Sequence, residues 1–160
     1  MLSCVGVMFS PHHQESADEM VRVTRPGGTI GLLSWTPECF IDQMFAAMKP
    51  YAVPPPPGAQ PPPPWGDEAH VRDLFGDRVT DVDARVQSLT VDCFTTPEEF
   101  RDYFKRRCGP TIAVYGFIAD DPDRVAALHN DLVELARRFD IGTGTTKMKW
   151  EYLLLTARRG

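Results

Sequence analysis

The sequence predicts an α/β fold built on parallel strands, and three observations carry that reading. Two short apolar runs, 2–9 and 29–35, flank a stretch with helical periodicity. That stretch ends in Arg25-Pro26-Gly27-Gly28, a strong stop and turn. A run rich in aromatics and leucine, 148–157, closes the chain after a long amphipathic segment. Short continuous apolar runs bounded by turn residues are the pattern of strands covered on both faces of a parallel sheet. Strand, helix and strand joined in this way make a β-α-β unit with a right-handed crossover.

Taken in order, the run 2–9 reads as a fully buried strand ended by Ser10-Pro11. From 14 to 24, Ala17, Met20 and Val21 fall on one helical face. Proline cannot continue that helix, and glycine permits the turn into the second buried strand, 29–35. After Pro37, residues Phe40, Ile41, Met44, Phe45 and Met48 form an apolar helical stripe that stops at Pro50. The proline-rich run 54–64 lacks the backbone donors that a helix or central strand needs. It reads as an extended polyproline-II surface loop, either a stiff spacer or a ligand for a proline-binding module.

Asp67 caps a short helix carrying Val71, Leu74 and Phe75 and closed by Gly76. Residues 79–91 alternate loosely and read as a strand. Thr96-Pro97-Glu98-Glu99 combines a cap, a proline at the first helical position and a glutamate three residues on. Phe100, Tyr103 and Phe104 give that helix an apolar face; Gly109-Pro110 interrupts it, and 111–118 adds a turn or two. Asp121-Pro122 opens a long helix with Val125, Leu128, Leu132, Leu135, Ala136 and Phe139 on its buried side. Residues 141–146 read as a loop and 148–157 as the final strand. The expected organisation is one domain over 1–160: a strand-helix-strand core at 1–36, a helix and proline loop at 37–66, and the remaining helices and strands at 67–160.

The chain has 160 residues and a formal net charge of -5, with no basic block. That balance offers no footprint for nucleic acid and no polybasic patch for an anionic membrane. No apolar run approaches the ~20 residues that span a bilayer. The N-terminus has no charged segment followed by an apolar one, so the expected location is the cytoplasm. Cys4, Cys39, Cys93 and Cys108 form no C-x-x-C pair. They read as reduced, mostly buried thiols, with neither a disulfide framework nor a metal site expected.

Candidate chemistry clusters after the first strand. His12 and His13 lie just beyond its carboxyl end, the edge at which open α/β sheets bind ligands. A histidine there can take a proton from a substrate, which makes His12 the candidate base; the competing reading is a solvated loop pair. Trp35 ends the second strand at the same edge, to wall a pocket or cap the core. Gly142-Thr143-Gly144 follows a helix and precedes a strand, the wrong order for a phosphate loop, and reads as a turn. His70 and His129 sit in helical patterns with surface or core roles as the default. Lys105-Arg106-Arg107 ends a helix, where cations complement the dipole; a substrate-anion role is the competing reading.

The run Leu2-Ser3-Cys4-Val5-Gly6-Val7-Met8-Phe9, a helix, and then Arg22-Val23-Thr24-Arg25-Pro26-Gly27-Gly28 leading into a strand resembles the second half of a class I S-adenosylmethionine-dependent methyltransferase. The closest resemblance is to the ubiquinone and menaquinone methyltransferase branch. The strong match covers about 2–35 and begins within the family's fourth strand. The resemblance implies an incomplete Rossmann-like sheet: parallel strands, helices on the faces, and a last antiparallel strand inserted between its neighbours. The candidates for the last two strands are 79–91 and 148–157. It also implies a cofactor wall of Ser3, Cys4, Val5 and Met8, with Phe9, His12, His13 and Trp35 toward a small-molecule methyl acceptor. The family's Gly-rich loop and acidic ribose-binding residue have no counterpart here, and roughly a hundred further residues precede the match in a complete member. The implied protein is a C-terminal portion, inactive alone, with a noncatalytic interaction or dimerisation module as the alternative. Its first strand would be an exposed apolar edge that pairs with a second copy or a complementing chain. Self-association in analytical ultracentrifugation is the expected result, and a clean monomer would count against it.

Overall fold

The structure, a computed structural model, describes residues 1–160. Four strands form one open sheet in the order β1-β2-β4-β3. β1 (Leu2–Cys4) runs parallel to β2 (Thr29–Trp35), with Leu2 opposite Gly31 and Cys4 opposite Leu33. The final strand, β4 (Thr146–Arg159), pairs antiparallel with β2 from Thr29↔Arg158 to Trp35↔Tyr152. β3 (Val79–Phe94) lies beyond β4. The expected α/β class therefore holds, with a parallel first pair, a last antiparallel strand between its neighbours, and helices packed on the faces.

The chain folds as two compact units. The first comprises Met1–Cys39, Pro56–Leu89 and Glu151–Gly160. α1 (His13–Val23) buries His13, Ala17 and Met20, and α3 (Glu68–Phe75) buries Val71, Leu74 and Phe75. Together with Ile30, Leu32, Trp65 and Leu155 these side chains make one apolar core. The Pro-Gly-Gly turn is held from both sides. Gly27, at φ 69, occupies a conformation that favours glycine and donates its N–H to the Arg159 carbonyl at 2.8 Å. The Arg159 N–H returns to the Gly28 carbonyl at 2.9 Å, and its guanidinium reaches the Thr24 carbonyl. The turn thus ends α1, starts β2 and receives the last residues of β4.

The second unit comprises Phe40–Pro55 and Thr90–Trp150. It contains α2 (Phe40–Met48), α4 (Pro97–Arg107), α5 (Gly109–Phe117) and α6 (Pro122–Phe139). Phe40 is wholly buried, stacked on Trp150 at 5.3 Å and met edge-on by Phe100 at 5.1 Å and Phe139 at 5.4 Å. Such edge and stacked pairs add to the apolar burial they accompany. The predicted Thr96 cap forms, accepting from the Glu99 N–H, and Asp121, expected to open the long helix, caps it by accepting from the Arg124 N–H. Glu99 also accepts from the Thr95 N–H at 2.7 Å, reaching back toward the helix start as in a capping box.

Three expectations need correction. The run 2–9 is not one buried strand. Ladder pairing stops after Cys4, Val5 turns at φ 53, and Val7–Phe9 is a 3-10 turn. The Val7 N–H donates to Ser3 Oγ at 2.9 Å, so the strand's own side chain replaces the next ladder bond. With β2 as its single neighbour, β1 leaves Leu2 80% exposed. The helical run breaks as expected before Gly109-Pro110, with Cys108 extended between α4 and α5, but the pair itself opens the second helix rather than lying outside it, because proline at a first-turn position sacrifices no helical hydrogen bond. The thiols are not mostly buried: Cys39 is, Cys108 is half-buried, and Cys4 and Cys93 are exposed. No helix is long and apolar enough to cross a membrane.

Candidate functional site

The carboxyl ends of the parallel pair bring the predicted residues together. β1 leads through Val5, whose N–H donates to the Leu33 carbonyl at 2.8 Å, into the 3-10 turn and then the N-terminus of α1. Ser3, Cys4, Val5, Met8, Phe9, His12 and His13 therefore follow one another around the edge at which β2 ends in Trp35. Their environments diverge. Met8 is sealed in the core, Ser3 and Val5 are half-buried, and Cys4 and Phe9 are exposed. His12 is exposed at the N-cap of α1, where its side chain makes no capping bond. Trp35 is half-buried, with its ring edge-on to Tyr152 at 6.3 Å.

His13 is completely buried. Its Nδ1 lies 3.0 Å from Nε2 of His70, so one ring donates and the other accepts. Its Nε2 is buried without a hydrogen bond, as is Nε1 of Trp65, whose ring lies 5.4 Å away. The proline-rich loop reaches this cluster through Gln60. Gln60 Oε1 accepts the His13 N–H at 3.0 Å, and the Gln60 N–H donates to the Pro11 carbonyl at 2.9 Å. A side chain distant in sequence thus supplies the cap that His12 does not. Beyond Gln60 the loop folds into the 3-10 turn Pro63–Gly66, which buries Trp65 completely and sets Gly66 on the carbonyl of Trp35. Pro54 to Pro57 stay exposed, as expected of a surface loop, but its second half is a clamp over the strand ends.

Burial holds the His13 pKa below 6.5, and His70 lowers it further by charge repulsion. A neutral ring suits the His13–His70 bond, since two imidazolium rings would meet donor to donor. Because the folded value lies below the unfolded one, the unfolded chain binds the extra proton. The stability that His13 contributes is full above pH 6.5 and is lost as pH falls through its lowered folded value. His129 in the second unit, also lowered by burial, acts in the same direction. Urea unfolding is expected to show stability falling below pH 6.5, by at most about 1.4 kcal/mol per pH unit for each proton. In His13→Gln that slope should be smaller; an equal slope would remove His13 from the account.

Cys4, Val5, Phe9, His12 and Trp35 reach solvent at this edge, whereas Met8 and His13 do not in this conformation. Sequence reasoning missed Gln60, Trp65 and Gly66. The available signal was Trp65 itself, a large apolar residue placed immediately after the prolines. No cluster of three or more His, Cys, Asp or Glu side chains is arranged to hold a metal ion.

No family model matches the chain. It is 47% identical over 159 residues to an uncharacterized protein of Mycobacterium tuberculosis strain H37Rv, and equally to one of Mycobacterium bovis. Each match covers 99% of this chain and 57% of the relative, so the chain spans little more than half the length of the curated relatives it matches. Among solved structures, a Bacillus halodurans protein with a provisional methyltransferase description aligns at TM-score 0.48 and 15% identity, covering 98% of this chain and 67% of its own.

Proposed function

We propose that this chain is the C-terminal portion of an S-adenosylmethionine-dependent methyltransferase that acts on a small molecule in the cytoplasm. The observation that carries this reading is the strand order. Strands consecutive in sequence are usually neighbours. Here the last strand enters antiparallel between β2 and β3, the arrangement that the resemblance of the Arg22-Val23-Thr24-Arg25-Pro26-Gly27-Gly28 turn implies.

The residues of this chain fit the cofactor only in part. Cys4 and Val5, at the end of β1, are suited to lining an apolar arm. Ser3 already accepts the Val7 N–H, and Met8 is enclosed in the core. Neither β1 nor β2 carries a carboxylate to grip ribose hydroxyls. The remaining contacts belong to strands added beyond β1, whose outer edge has no partner strand in this sheet. An apolar edge of this kind pairs readily, with a second copy or with a complementing segment. At the acceptor side, Phe9 and Trp35 offer apolar walls, and the exposed His12 is the imidazole available to take an acceptor proton.

Calorimetric titration with S-adenosylmethionine and S-adenosylhomocysteine tests the reading on this chain and on its longer M. tuberculosis relative. The relative is expected to bind at micromolar concentration and this chain about a hundredfold more weakly, a loss of ~2.7 kcal/mol. No binding by the relative would overturn the proposal.

A further inference from the structure

In the second unit, one cluster of side chains combines positive charge with unsatisfied buried hydroxyls. Arg101 and Lys105 lie one turn apart on α4, Tyr115 on α5 and His129 on α6. Lys105 Nζ is 3.2 Å from His129 Nε2 and 4.7 Å from the centre of the Tyr115 ring. The Tyr115 and His129 rings are 5.2 Å apart. With Nε2 accepting from Lys105, the neutral His129 ring carries its proton on Nδ1 and is a donor there. Arg101 pairs with Asp102 at 2.8 Å, whereas no carboxylate pairs with Lys105. The cluster therefore keeps one uncompensated positive charge.

Beneath these half-buried cations, Tyr115 is only 6% exposed and its hydroxyl has no hydrogen-bond partner. One turn earlier on the same buried face of α5, the Thr111 hydroxyl is also buried and unpartnered. Buried hydroxyls left without partners are rare because their desolvation is uncompensated. The groups available at this place are donors: an ammonium, positioned by the His129 ring that accepts from it, a guanidinium and a phenol O–H. What such a set lacks is an acceptor with negative charge.

We propose that Lys105, Arg101, His129 and the Tyr115 hydroxyl form a binding site for a small oxyanion, a carboxylate or a phosphate group. An oxyanion seated there accepts charge-assisted hydrogen bonds from Lys105 and Arg101 and gives Tyr115 the acceptor it lacks. Asp102 works against it, and its ion pair with Arg101 sets how much of that guanidinium is available. Every residue of the site belongs to the second unit, and none of them is used in the methyltransferase reading.

Thermal unfolding of the full chain tests this in sodium chloride, sodium phosphate and sodium acetate at equal ionic strength. At ~20 mM, the preferred anion is expected to raise the midpoint by about 4 °C over chloride. A larger shift with phosphate identifies a phosphate site, and a larger shift with acetate a carboxylate site. Lys105→Met and Tyr115→Phe should both lose the shift. In chloride alone, Tyr115→Phe should melt at or above the parent, because it removes an unpaired buried hydroxyl. Shifts that are equal in all three salts, or that survive in both variants, overturn the proposal. Nuclear magnetic resonance of the parent gives a second readout that needs no variant. Adding the effective anion should raise the pH at which the His129 ring titrates, and an unmoved titration overturns the site.

Discussion

Trp65→Ala is expected to destabilise the first unit by about 4 kcal/mol, the cost of emptying a fully buried tryptophan site. The side chain is completely buried and belongs to the core that joins α1, β2, α3 and β4. Its removal also takes away the ring beside His13 and the anchor of the proline-rich loop. Urea unfolding followed by circular dichroism would measure the loss. Trp65→Phe should cost less than half as much, since it keeps much of the apolar contact and removes an indole N–H that has no acceptor. A loss below about 1 kcal/mol for Trp65→Ala would mean that the turn does not carry the core contact assigned to it.

Gly66→Ala is expected to cost about 3 kcal/mol, at the upper end of overpacking penalties. A methyl group placed there would lie 1.9 Å from the Trp35 carbonyl oxygen and 2.7 Å from the Thr36 Cα. These are backbone atoms of β2 and its exit, so no side-chain rotation relieves the clash. The turn must lift from the strand end or the strand must shift. The same substitution at Gly116, where an added methyl meets nothing within 4 Å, serves as the control. In an exposed helix position Gly→Ala removes backbone entropy from the unfolded chain and should stabilise by up to about 1 kcal/mol. Equal effects at the two glycines would refute the packing argument.

These two substitutions bear on function because Trp65 and Gly66 fasten the proline-rich loop over the edge that holds Cys4, Phe9, His12 and Trp35. If that edge receives a methyl acceptor, loosening the clamp should alter acceptor affinity before it alters the fold of the second unit. The His13–His70 bond and the Gln60 cap belong to the same fastening. The acid sensitivity expected of His13 is therefore a property of the clamp as well as of overall stability.

Much of the fold was legible because its signals are local. Asp67, Thr96 and Asp121 announced three helix starts, and each accepts the expected backbone N–H. The apolar stripe from Phe40 to Met48 matched α2, and Thr29–Trp35 emerged as a strand with the predicted bounds. A cap, a proline at the first turn and an apolar repeat each act over a few residues, so their meaning survives without knowledge of the rest of the chain. The placing of β4 between β2 and β3 was expected from the family resemblance, not from any spacing in the residues.

The sequence by itself determined the α/β class, the β-α-β unit, the Pro-Gly-Gly turn and the three helix starts at Asp67, Thr96 and Asp121. Only the tertiary structure decided where β1 stops, that His13 is sealed against His70, that Gln60 caps α1, and that Trp65 and Gly66 close over the end of β2. The reason lies in sequence separation. His13 and His70 are 57 residues apart and His13 and Gln60 are 47 apart, and no period or spacing encodes such meetings. They form because the sheet and α1 fix one side, the proline-rich loop is stiff enough to return to it, and the apolar area of Trp65 is removed from water only there.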